Sequence, residues 1–232
     1  MFQVGNNMIN SFAETETYVT SEPVTVSNVD RDLRYVMVDV PYIRANLQNI
    51  KEHCEYAAHR VKQFIVGMKN IPYDKITGTD ITWFYNNYNI YNIAAGSVHF
   101  YTIYKHVCYA VNQYFKITGK PKPSQMWMQS WINFHNADEV LSVHDHTWDL
   151  HGYVSIEPQD TETVFLNYRD DSKELYRVKN QVGKIYVGPG YRPHYVNNLS
   201  NYTEKRITMG FDLMYEHKTN YNSGFIPILL ED

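Results

Sequence analysis

The chain has 232 residues, 44% of them hydrophobic and 20% charged, and a formal net charge of −4. That is the balance of a soluble globular protein long enough to bury a sizeable core. The absence of any block of Lys and Arg argues against duplex nucleic acid as a partner, and the absence of an apolar run of about 18 residues argues against a membrane span.

Residues 1–11 are polar and lack the charged-then-apolar layout of a secretory leader. The two cysteines, Cys54 and Cys108, fall on the apolar faces of predicted helices. They read as free buried thiols in a reducing, cytoplasmic interior rather than as a disulfide or a metal pair. No repeat and no low-complexity linker divides the sequence, so residues 1–232 are expected to form a single domain.

Residues 1–30 are rich in Ser, Thr, Glu and Asn and read as a loose lead-in with a possible short strand at Val24 to Val26. Arg34 to Val40 alternates and carries β-branched residues, which predicts a strand ended by Pro41. From Ile43 to Gly67, apolar residues recur at Leu47, Ile50, Cys54, Ala57, Val61 and Phe64/Ile65, the spacing of an amphipathic helix. Gly67 and Pro72 stand where that helix should stop. The stretch Trp83 to Ala95 alternates Asn with Tyr and fits neither period. It reads as an irregular packed loop, with an aromatic wall over a pocket as the alternative. A second helix is predicted over Ser97 to Thr118, with Phe100, Ile103/Tyr104, Val107, Val111 and Tyr114/Phe115 on one face and Gly119 as its C-terminal stop.

After Pro121 and Pro123 the texture changes to short strands: Met126 to His135, Gly152 to Glu157, Thr163 to Tyr168, Lys184 to Val187, His194 to Asn197 and Arg206 to Tyr215. Clusters such as Asp170-Asp171-Ser172 read as turns between them. The pattern predicts a mainly β fold with flanking helices. Residues 1–120 supply a strand and two amphipathic helices; residues 121–232 form a jelly-roll core.

Chemistry concentrates in that second half. His144-Asp145-His146 lies on what reads as a strand end. Alternation would set the two imidazoles on one face, about 7 Å apart, with Asp145 pointing away. His194 follows behind the turn-forming Gly188-Pro189-Gly190 and is the natural third ligand from a neighbouring strand. Three protein ligands leave open positions on a six-coordinate iron. Of the other histidines, His53, His59, His99, His106 and His217 lie on helices or near the end and have no partner at ligand spacing. On the last long strand Arg206, Thr208, Gly210 and Asp212 share one face, and Ile207, Met209, Phe211 and Leu213 the other. The apolar face should pack, leaving Arg206 and the Thr208 hydroxyl to hold a carboxylate in a cavity.

Ser130-Trp131-Ile132-Asn133, His144-Asp145-His146, Leu150-His151-Gly152-Tyr153-Val154, Gly183-Lys184-Ile185-Tyr186-Val187, Pro193-His194-Tyr195-Val196 and Arg206-Ile207-Thr208-Met209-Gly210-Phe211 occur in an order that resembles the 2-oxoglutarate- and iron(II)-dependent oxygenases of bacteria and tailed phages, especially phages of marine cyanobacteria. The resemblance covers about residues 97–215. It implies a double-stranded β-helix, the cupin-like jelly roll, with residues 121–232 as catalytic core. It further implies Fe(II) at His144, His146 and His194, and the distal carboxylate of 2-oxoglutarate at Arg206 and Thr208. Asn133 is expected to reach the co-substrate or the substrate.

The implied reaction is hydroxylation of an unidentified small molecule or protein side chain by dioxygen, with formation of succinate and CO₂, in the host cytoplasm if the protein is phage-encoded. Two positions depart from the wider pattern. His146 stands where a carboxylate ligand is usual, which leaves either a three-His site or Asp149 as the ligand instead. His151 replaces a small residue before Gly152 and would narrow the pocket, touch substrate or serve structure. Two other readings stand beside this one: a cupin-like binding protein without redox chemistry, and a three-His metalloenzyme that does not use 2-oxoglutarate.

Overall fold

The computed structural model describes residues 16–20, 34–139, 141–168, 170–216 and 224–230. Val24 to Val26 and His217 lie outside the described residues. In chain order the elements are β1 (Glu16–Thr20), β2 (Tyr35–Asp39), α1 (Pro41–Ala45), α2 (Leu47–Lys69), α3 (Gly78–Trp83), α4 (Ile90–Ile93), α5 (Val98–Thr118), β3 (Met126–His135), β4 (Leu150–Glu157), β5 (Thr161–Asn167), β6 (Asp170–Lys179), β7 (Lys184–Pro189), β8 (His194–Asn198), β9 (Arg206–Met214) and β10 (Ile226–Ile228).

The strands form two antiparallel sheets, ordered β1-β2-β7-β4-β9-β3-β10 and β6-β5-β8. Between Met126 and Met214 the strands take the mainly β, jelly-roll arrangement expected of this half, preceded by the helices.

The alternation read along β9 sorts its two faces. Ile207, Met209, Phe211 and Leu213 join Met128, Ile132, Val154 and Val187 in one apolar cluster with the buried stripes of α2 and α5. Burying side chains of this size contributes about 1.5–3 kcal/mol each, so the helices are held to the back of the large sheet by its main hydrophobic layer. The opposite face looks toward the small sheet. There Tyr35, Met37, Tyr153 and Tyr186 pack against Phe165 and Val178. Because both faces are covered, β9 is buried along its whole length.

Several local readings differ from the structure. The predicted first helix is two helices, α1 and α2, and α2 runs past Gly67 to Lys69, ending at Asn70 in the left-handed conformation with φ 54°. Gly67 has open space around it, so nothing there forces a stop. On α2, Ile65 rather than Phe64 faces the core. The helix α3 was not read from the sequence; it carries a capping box, with Thr77 and Asp80 each bonding the other's backbone N–H. Asp170-Asp171-Ser172, read as a turn, begins strand β6, which pairs with β5.

The aromatic stretch after Trp83 divides its labour. Phe84, Tyr88 and Tyr91 are buried in the core, while Trp83 and Tyr85 line a cavity between the sheets. Both the packed-loop reading and the aromatic-wall reading therefore describe part of it, but the stretch is not irregular throughout, since Ile90–Ile93 forms helix α4.

Candidate metal centre

The segment 141–148 is not a strand. It is fixed instead by backbone hydrogen bonds to the other wall of the cavity. His144 N donates to His194 O (3.1 Å), His194 N donates to His144 O (2.8 Å), and His146 N donates to Gly190 O (3.0 Å). Gly190 allows this approach, since a Cβ there would sit 2.0 Å from the Trp148 carbonyl oxygen. The expected geometry is thus reached by a different route. The rings of His144 and His146 lie 5.3 Å apart, His144 and His194 4.5 Å, and His146 and His194 5.3 Å. One ring nitrogen from each lies within 4.8 Å of the others. Asp145 is exposed at the cavity rim.

Each imidazole is anchored through Nδ1. His144 donates to the Ser142 carbonyl (2.8 Å), His194 to the Arg192 carbonyl (3.0 Å), and His146 to Asp212 Oδ1 (2.9 Å). A donor at Nδ1 fixes the tautomer and leaves the Nε2 lone pair available, the usual preparation of an imidazole for a metal. His146 Nε2 is buried without a hydrogen-bond partner among the described residues, an arrangement a cation would relieve. Burial lowers the pKa of His144, and it takes His194 well below its ordinary value, assisted by the neighbouring His151, His144 and His146. Three imidazole nitrogen donors in a partly enclosed site fit a first-row divalent ion.

His151 lines this end of the cavity, and Asp212 lies behind it and His146. His151, opposite Asp212 in the β4–β9 ladder, is buried, donates from Nδ1 to Asp212 Oδ1 (3.1 Å), and stacks on His146 with ring centroids 3.7 Å apart. Burial, then the adjacent His146, brings its pKa down to about 3. Asp149, the alternative to His146, is not part of the cluster: it is exposed and its carboxylate accepts the Tyr215 N–H at 2.9 Å. Sequence reasoning gave Asp212 a face and no role, because its partners sit on segments remote in the chain.

The inner face of β9 lines the same cavity of about 100 Å³ with Arg206, Thr208 and Gly210. Trp131 Nε1 donates to Asn133 Oδ1 (3.1 Å) and Asn133 Nδ2 donates to Thr208 Oγ1 (3.1 Å), which leaves the Thr208 hydroxyl hydrogen free to donate. Arg206 is 4% exposed. Its Nη2 donates to His135 Nδ1 (3.2 Å), and His135 in turn bonds the Thr82 hydroxyl through Nε2. Burial, and then the Arg206 charge, pushes His135 down to about 3, so the ring is neutral and accepts this bond. Burial also lowers the Arg206 pKa, with Tyr202 countering it. Among the described residues no carboxylate lies within ion-pair distance of Arg206.

Trp83, about half exposed, stands edge-on to His144, and Trp131 stacks on His146. Aromatic surface therefore covers the imidazoles on two sides. No described helix is long and apolar enough to cross a membrane.

No family model and no curated protein matches the chain. Solved structures that resemble it include an oxidoreductase of the 2OG-Fe(II) oxygenase family from Burkholderia pseudomallei, 11% identical over 49% of this chain and 56% of that one, with a TM-score of 0.39. Another is the non-heme alpha ketoglutarate dependent carbocyclase SnoK from nogalamycin biosynthesis, 9% identical over 91% and 84%, TM-score 0.45. A third is a cupin-2 domain containing protein from Shewanella frigidimarina, 15% identical over 42% and 87%, TM-score 0.26. The chain spans about half the length of the first of these. At TM-scores below 0.5 the likenesses carry no argument about site or activity.

Proposed function

We propose that this protein is an Fe(II)- and 2-oxoglutarate-dependent dioxygenase that hydroxylates a substrate at the mouth of the cavity, forming succinate and CO₂. The observation that carries the reading is Arg206: a buried guanidinium without a carboxylate partner among the described residues, opening on the cavity that three converging imidazoles share. A buried cation of this kind calls for an anion, and a guanidinium matches a carboxylate bidentately.

His144, His146 and His194 would hold the metal through Nε2. Arg206 would grip the distal carboxylate of 2-oxoglutarate, with the Thr208 hydroxyl as second donor and Asn133 holding that hydroxyl in place. The Arg206–His135–Thr82 chain keeps the guanidinium from swinging away. Fe(II) with its keto-acid co-substrate supplies dioxygen activation when bound. Trp131 and Trp83 shelter the imidazoles from water, and the exposed face of Trp83 offers an apolar surface to the substrate.

The all-imidazole donor set favours one second reading, a three-His metalloenzyme that does not use 2-oxoglutarate. It leaves Arg206 without its anion. Uncoupled turnover separates the two: with Fe(II), ascorbate and dioxygen, and no added substrate, slow conversion of 2-oxoglutarate to succinate is expected. Metal binding without any succinate would favour the second reading, and absence of metal binding would favour a binding protein without redox chemistry.

A further inference from the structure

Asp212 enters above only as the acceptor that anchors His146, yet its placement is unusual. It is fully buried on the inner face of β9. Its Oδ1 accepts two N–H bonds, from His146 Nδ1 (2.9 Å) and His151 Nδ1 (3.1 Å), while Oδ2 has no hydrogen-bond partner among the described residues. Among the described residues no Lys or Arg lies within ion-pair distance of it. A buried ionised carboxylate is costly unless its surroundings hold it, and here the two imidazole N–H groups are what hold it. The side chain does not line the cavity; it reaches the cavity through His151 and through His146, whose far nitrogen is the buried orphan described above.

The three imidazoles differ in this respect. His144 and His194 rest on carbonyl oxygens, neutral acceptors, and His146 alone rests on a carboxylate. We infer that Asp212 is the positioning carboxylate of the metal centre: through the His146 N–H it orients that ring and supplies the negative charge that an all-imidazole donor set lacks. This rests on the reading of His144, His146 and His194 as metal ligands. A hydrogen-bonded carboxylate raises the basicity of an imidazole donor, and a cation at Nε2 in turn offsets the buried charge. His151 is its second clamp: it occupies the other lobe of Oδ1 and stacks on His146, which blocks rotation of that ring. Asp212, His146 and His151 also bring ligand atoms within 4.8 Å of one another, but that proximity is accounted for by the two hydrogen bonds themselves.

The test is anaerobic titration of the full chain with Co(II), read by its visible d–d bands, alongside thermal unfolding of the metal-free proteins. Asp212→Asn keeps the shape and removes the charge. The expected result is Co(II) binding weakened by roughly 10- to 100-fold with shifted bands, and a metal-free melting temperature no lower than that of the parent. Asp212→Glu is expected to recover part of the affinity. Unchanged affinity and spectrum in Asp212→Asn overturn the inference, as does complete loss of Co(II) binding, which would make Asp212 a ligand. Should the Asn variant not fold, His151→Phe decides. With Asp212 serving His146 alone, Co(II) binding equal to or tighter than the parent's is expected, and a tenfold weakening contradicts it. Failure of the parent itself to take up Co(II) would instead remove the metal centre on which the inference stands.

Discussion

His144 and His194 exchange both of their backbone hydrogen bonds, at 3.1 and 2.8 Å, and this single bridge brings two imidazoles from opposite walls of the cavity to 4.5 Å. The bridge is made by main-chain atoms, so it survives removal of either side chain. His194→Ala is therefore expected to keep its metal-free melting temperature and to lose affinity for Fe(II) or Co(II) by roughly 100-fold or more, since losing a direct ligand costs more than losing the group that orients it. Metal content by elemental analysis after anaerobic loading checks this, and an undiminished content would remove His194 from the site.

Arg206→Ala separates the two ends of the cavity. It deletes the one buried guanidinium in the lining and leaves the imidazoles in place. 2-Oxoglutarate binding should weaken by about 100-fold, the scale of a lost charge-assisted pair, with Co(II) affinity unchanged. Arg206→Lys keeps the charge and loses the fork, so it should fall between the two. Calorimetric titration with 2-oxoglutarate on the metal-loaded variants measures the difference.

Gly210 faces Trp131 across the β3–β9 ladder, and a Cβ there would stand 2.6 Å from the indole ring. Gly210→Ala must push that indole toward His146, on which it stacks. Overpacking of this kind costs about 1–3 kcal/mol, so a melting temperature several degrees lower is expected, together with weaker 2-oxoglutarate binding. If both are unchanged, the indole does not form the fixed wall described here.

His135 links stability to pH. Burial lowers its pKa from 6.5 to about 3 in the folded state. Between these values the unfolded chain binds a proton that the folded chain does not, so the stability is fully present above about pH 6.5 and is lost as pH falls toward 3. At pH 5 the loss from this one group is about 2 kcal/mol. Urea unfolding at pH 7 and pH 5 should show the pH dependence reduced by about that amount in His135→Gln, whatever the variant's stability at pH 7. An identical pH dependence would mean that His135 is protonated as readily in the fold as outside it.

Much of this was legible where local pattern and tertiary role coincide. The Met126–His135 strand was read at its observed bounds, and the two faces of β9 follow from strict alternation between Arg206 and Leu213. The capping box at Thr77 and Asp80 was also present as a signal, four residues long, and went unread. Other features had no local signature. Asp170-Asp171-Ser172 carries turn chemistry that pairing with β5 overrides. The His144 segment is placed by hydrogen bonds to residues 44 and 50 positions away, so its lack of strand structure could not be read from its own composition. Asp212 acquires its role only when β4 and the His146 segment close over it from elsewhere in the chain.

The most direct measurement is anaerobic titration of the full chain with Fe(II) and 2-oxoglutarate, followed in the visible. A weak metal-to-ligand charge-transfer band that requires both components, and that disappears in His144→Ala, is the expected result. Absence of any band when both are present at saturating concentration, with Fe(II) bound, would contradict a shared site for metal and keto acid.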